Sequence, residues 1–196
     1  MSTYTDIRYD YNLPSGYGGS LVLLSTQTAS ASSSISFTSG IDSTYRTYLF
    51  KFINIHPATN GVKFQFNGSS DGGSNYNVTK TTTFFKANHN EGGTDTNFGY
   101  ATGNDLAQST AYQDISEYTG NDNDGSVSGT LHLFSPSDTT FVKHFLANVH
   151  GLRGSDYAQN HFAAGYFNSV SAINAIQFKM SSGNIDAGTI KMYGIA

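Results

Sequence analysis

The sequence predicts an all-β fold, an antiparallel sandwich of jelly-roll type with about ten strands and little helix. Three observations predict it. Apolar residues recur in short alternating or continuous runs, and turn-forming residues separate nearly all of them. Aromatic residues are plentiful, with 14 Phe and 13 Tyr in 196 residues. Only 12 % of residues are charged, and Gly, Ser, Thr and Asn make up the difference. Hydroxyl and amide side chains compete with the backbone for hydrogen bonds, which favours turns and strands over helices. One domain is expected at this length.

Met1 to Gly19 reads as an arm rather than a core element, either a disordered terminus or a docking arm, and the sandwich domain is expected over 20–196. Tyr4, Tyr9, Tyr11 and Tyr17 stand in the arm among polar residues and glycines. They are candidates for docking on a partner chain, because Tyr supplies rigid amphipathic contact area. LVLLST and SISFT then give two short strands around a Ser/Ala-rich turn.

Arg46 to Asn77 organises the rest. Tyr48 to Ile55 is apolar on both parities, with Tyr48, Phe50 and Phe52 on one face and Leu49, Ile53 and Ile55 on the other. That predicts a central strand covered on both sides. The break HPATNG contains Pro57, which cannot donate to a ladder, and Asn60-Gly61, which tolerates positive φ. A hairpin into the alternating Val62, Phe64, Phe66 strand is therefore expected. Asp71 to Ser74 is a further turn, and Val78 to Ala87 a Thr-rich strand.

His89 to Thr110 shows no sustained period, and Leu106 to Ile115 has room for one short helix. Glu117 to Ser126 is an acidic turn. Val127 to Phe134 and Phe141 to His150 read as a second hairpin, the latter strand apolar on both parities and so expected to be buried on both faces. An apolar run follows His161. Ile173 to Met180 and Thr189 to Ile195 close the chain around the turn at Ser181 to Asn184, and the last strand should pair inside the sandwich.

The net charge of −4 and the scatter of its ten Lys and Arg argue against nucleic-acid binding. The absence of Cys removes disulfides, thiolate chemistry and Cys-based zinc sites. Leu21 to Leu24 is too short for a signal peptide or a membrane span, so synthesis in a cytoplasm without a cleaved leader is expected, and no membrane partner.

No residues emerge as catalytic, cofactor-binding or metal-ligating. His132, His144, His150 and His161 fall in or near strands but lack HxH or HExxH spacing. Asn121 to Gly125 resembles a calcium loop only superficially, since Gly125 directly follows Asp124 and no Glu stands at the twelfth position. No G-x-S-x-G, phosphate loop or paired acid with a raised pKa stands out. The remaining signal is aromatic residues in polar loops, Phe98, Tyr100, Tyr112, Tyr118 and Tyr157, which suit a sugar ring or a neighbouring subunit.

The phrases FKFINIHPATNGVKFQF, SSDGGSNYN, SGTLHLFSPSDTTFVKH and AGYFNSVSAINAIQFKMSSGNIDAGTIKMYGI closely resemble uncharacterised virion structural proteins of marine tailed bacteriophages. The resemblance covers roughly Leu21 to Ile195. It implies a β-rich, non-enzymatic particle component of head-decoration or tail/fibre type, with the virion as its location. It implies self-association and contact with other virion proteins, with a homotrimer favoured by analogy. No catalytic residues come with it. The alternatives are a carbohydrate-binding or host-adhesion module contacting host surface glycan and, less favoured, a polysaccharide depolymerase.

Overall fold

Alternation and turn chemistry resolve into twelve strands and no helix in the computed structural model, which describes residues 20–196. The strands are β1 (Leu21–Thr28), β2 (Ile35–Phe37), β3 (Thr47–Pro57), β4 (Phe64–Ser69), β5 (Lys80–Asn90) and β6 (Thr96–Tyr100). They continue with β7 (Gln113–Asp114), β8 (Val127–Phe134), β9 (Lys143–Arg153), β10 (Tyr157–Phe167), β11 (Ala175–Met180) and β12 (Ile185–Ile195). All pairs are antiparallel, in an eight-stranded sheet of order β1-β12-β3-β8-β9-β10-β5-β6 and a four-stranded sheet of order β2-β11-β4-β7.

Leaving out β5-β6 and β9-β10, the remaining strands form β1-β12-β3-β8 and β2-β11-β4-β7. The chain crosses between these sheets at every step except β4 to β7, which pair directly. That is the doubled Greek key of a jelly roll. The other four strands extend the large sheet beyond β8, so the fold is a jelly roll carrying a one-sided extension.

Phenylalanine glues the jelly-roll half. The Phe178 ring on β11 lies 5.1 to 6.3 Å from those of Phe37, Phe50, Phe52, Phe64 and Phe66, mostly edge-on or tilted. Edge-to-face pairs at such spacings add to the stabilisation that burial alone provides. Phe66 carries the cluster on to Phe145 at 4.9 Å and Phe167 at 6.2 Å, where the extension begins. Gly165, opposite Phe145, leaves room for this, since a Cβ there would stand 2.9 Å from the Phe145 ring.

Several sequence expectations are corrected. β3 and β4 are not a hairpin, because they lie in different sheets, and so do β11 and β12. Crossing at HPATNG lets Phe52 meet Phe64 edge-on at 5.2 Å, whereas a hairpin would leave both apolar rows facing the same way. Ile55 is on the core face with Phe52, not with Leu49. Asn54 adopts φ of 50° and the register with β8 shifts between Phe52 and Ile55, a bulge that flips parity.

β9 is wet on one side, since Phe145, Ala147 and Val149 are buried while His144, Leu146, Asn148 and His150 are exposed. On β3 the other face is only partly wet among the described residues, with Lys51 exposed, Ile53 half-buried and Leu49 buried. Leu106 to Ile115 forms turns and the short strand β7 rather than a helix. The last strand does pair inside the sheet, between β1 and β3.

Candidate interface

Strand register fixes which side chains leave the core on the outer face of the large sheet. Reading across it, Leu23, Tyr193, Leu49, His132, Leu146, Ala164 and Thr83 are successive cross-strand partners. The next row runs Lys51, Thr130, Asn148, Phe162, Phe85 and Tyr100. An antiparallel sheet with one solvated face ordinarily alternates apolar-in with polar-out. Here the outward positions are themselves largely apolar.

The extension carries the most exposed part. Phe85 stacks on Phe162 at 4.8 Å and 9°, and Phe98 meets Phe85 edge-on at 5.8 Å while remaining 73 % exposed. Leu146 is 52 % exposed and stands between two hollows. One, of about 410 Å³, is lined by Phe85, Thr130, His132, Asn148, Phe162 and Ala164; the other, of about 280 Å³, by Thr81, Thr83, His144, Ala164 and Tyr166. Small side chains at Thr130, Ala164 and Thr83 make the hollows, and the large ones beside them make the walls.

Carboxylates are nearly absent from the large sheet. Among its strands the sole acid is Asp186, 3.9 Å from His56 near the start of β12. Besides His56, the outward lysines and histidines are Lys51, Lys191, His89, His132, His144 and His150. His132 lies flat beside Phe134 at 6.2 Å, and burial pushes it below the ordinary histidine value. His144 leans on Tyr166 at 6.1 Å. His161 instead points inward, so the strand histidines do not converge, and the described residues contain no cluster of His and acids able to hold a metal ion.

The underside of the extension is built differently. The small sheet stops at β7, and the polar stretch between β6 and β8 carries hydrogen bonds to β4 and β5. Thr82 Oγ1 donates to Gln113 Oε1 at 2.5 Å, and Gln113 Nε2 donates to the Asn104 carbonyl at 2.8 Å. Asp114 accepts from Gln65 at 2.7 Å and Asn104 at 3.1 Å and pairs with Lys63 at 2.6 Å. Glu117, nearly buried, pairs with Lys86. Burial, and behind it the charges of Arg153 and Lys63, hold Lys86 below the usual lysine range, so its ammonium depends on that carboxylate.

Flanking Phe167 in register are two fully buried lysines, Lys80 and Lys143. Lys80 Nζ donates to the carbonyls of Val78 at 3.1 Å and Ala111 at 2.6 Å, and burial lowers its pKa to about 7. Lys143 Nζ donates to the Ser169 carbonyl at 3.0 Å. His161 packs by Phe84 at 5.5 Å with neither ring nitrogen hydrogen-bonded among the described residues, and burial first, then Lys86 and His150, lowers its pKa to about 3.

The loop aromatics divide into three places. Phe98 and Tyr100 join the outer face at its β6 edge, where the Tyr100 hydroxyl donates to Asp105 at 2.6 Å. Tyr118 and Tyr157 flank Arg153, whose guanidinium lies 4.7 and 5.4 Å from their rings, and the Tyr157 hydroxyl donates to Asp95 at 2.8 Å. Tyr112 is on the small-sheet side, its hydroxyl donating to Gln177 and its ring under Lys179 at 4.6 Å. Tyr4, Tyr9, Tyr11 and Tyr17 lie outside the described residues.

The sequence reading passed over Lys80, Lys143 and the Lys86–Glu117 pair, and weighed His161 only as a metal ligand. A signal existed for the lysines: each opens an inward-facing row, Lys80-Thr82-Phe84 and Lys143-Phe145-Ala147, where an apolar residue is the usual occupant. Asn121 to Gly125 is a turn, closed by the Gly125 N–H donating to the Asp122 carbonyl at 2.8 Å, and Glu117 is not part of it. Comparison with protein-family models, with curated proteins and with solved structures gave no match to this chain.

Proposed function

We propose that this chain is a non-enzymatic structural component of a bacteriophage virion, of head-decoration or tail/fibre type, that works by protein–protein contact through the outer face of its eight-stranded sheet. One observation carries the contact: that face exposes Leu23, Leu146, Phe98 and Tyr100 beside half-buried Phe85 and Phe162 with no described layer over them, although the same chain packs the opposite face of the jelly roll with care. Exposed apolar patches beyond a few hundred Å² mark interaction sites in soluble proteins. Aromatics with few charges are the composition of an interface centre. The virion assignment rests on the resemblance of the four quoted phrases, and the jelly roll is compatible with it without requiring it.

The test is co-sedimentation of purified protein with phage heads and with phage tails. Leu146→Lys should abolish binding, and Ser182→Lys, on an exposed turn, should leave it intact. Binding that survives Leu146→Lys would remove the face from the account. Reducing ends released from host polysaccharide, or a glycan that raises the melting temperature by linkage, would replace assembly with catalysis or adhesion.

A further inference from the structure

Resting on the assembly reading, we infer that the partner of the outer face is a second copy of this chain, packed face to face. Three observations choose this occupant.

The first is shape. Leu146 projects between the hollows of about 410 and 280 Å³, so a knob and its holes stand side by side on one surface. A two-fold axis lying between two such faces places each Leu146 against a hollow of the other copy, the self-complementarity an isologous contact requires.

The second is size. Eight strands about 4.8 Å apart span roughly 34 Å, and strands of about nine residues run roughly 30 Å, so the face offers about 1,000 Å². A standard stable interface needs about 800 Å² from each partner.

The third is charge. The centre of the face carries no carboxylate, and its ionisable groups are imidazoles, His132, His144 and His150, with His89 towards the β5 end. Lys51 and Lys191 lie two and three strands from Leu146, where long side chains can turn their ammonium ends to water. Asp186 sits by His56 away from that centre. Two such faces therefore meet at their centres without opposing lysines or carboxylates. A partner bearing an acidic patch would find no lysine or arginine at the centre to draw it in.

Light scattering on the full chain at pH 7.5 tests this, and the prediction is a dimer. Leu146→Lys should be monomeric with its β circular-dichroism spectrum and cooperative unfolding retained, and with a melting temperature lowered only by the lost dimer linkage, which separates lost contact from lost folding. Because the chain has no Cys, Leu146→Cys provides a second readout: a disulfide-linked dimer on mild oxidation, absent for Ser182→Cys. A monomeric wild-type chain at pH 7.5, or dimers untouched by Leu146→Lys, overturns the inference. Should the wild-type chain be monomeric and yet bind particles in a Leu146-dependent way, the self-pairing fails while the assembly reading stands.

Discussion

The two halves of the large sheet are held from beneath by different chemistries, one wholly apolar and the other a mixture of apolar and buried polar groups. Under β12-β3-β8 lies an apolar cluster centred on Phe178; under β5 and β10 that cluster runs on through Phe167, Ala163 and Phe84 but shares the space with Lys86–Glu117, Gln113, Thr82, Lys80 and His161. Apolar packing is non-directional and indifferent to pH. Buried polar groups are directional, costly when unpaired and sensitive to protons. The jelly roll is therefore the stable body, and the extension is a surface held in place by a network that can be loosened group by group. It is also the extension that presents the most exposed apolar side chains of the outer face.

The largest expected effect is on the body. Phe178→Ala empties the centre of five aromatic contacts and should cost about 3–5 kcal/mol in urea or thermal unfolding. A loss below about 1 kcal/mol would mean that the cluster is not the keystone. Glu117→Gln comes next. It strands Lys86 beneath the extension, at a cost of about 2–3 kcal/mol, less than for a fully buried pair because the Lys86 side chain keeps 20 % of its surface exposed. Hydrogen exchange should quicken in β5 and β10 before β3 and β12. Uniform acceleration across both halves would erase the distinction drawn between them.

His161→Met addresses acid. The folded-state pKa of His161 is lowered to about 3 from 6.5, so the unfolded chain binds a proton between those values that the folded chain refuses. His161 therefore subtracts no stability above about pH 6.5 and progressively more as pH falls towards 3. A melting-temperature profile should be flatter over that window in His161→Met than in the wild type. Parallel profiles would show that the imidazole is reached by water. The smallest effect belongs to Tyr118→Leu, which removes one of the two rings around Arg153 and should cost about 0.5–1 kcal/mol.

How much the sequence disclosed follows the same division. Tyr48, Phe50 and Phe52 announced their shared face by simple alternation, and turn residues marked most strand ends. Parity failed at Ile55, because the bulge at Asn54 is a backbone event that composition does not mark. It misled at β9, where Leu146 and Val149 look equally suited to burial and only the absence of an overlying layer exposes one of them. Phe98 and Tyr100 were found as exposed aromatics, but their neighbourhood was not, since Phe85, Phe162 and Leu146 reach them through pairings far apart in the chain. Glu117 was misfiled with a turn because its partner, Lys86, is brought to it by the β5–β10 pairing and the stretch that covers it.

The claim on which the rest depends is that the outer face of the eight-stranded sheet is an occupied surface in the working particle. An electron-microscopic reconstruction of the virion at a resolution that shows strands tests it directly. The account predicts another protein chain packed over Leu146, Phe162 and Phe85. A particle in which that face looks onto open solvent, with the chain attached by another surface, would contradict it.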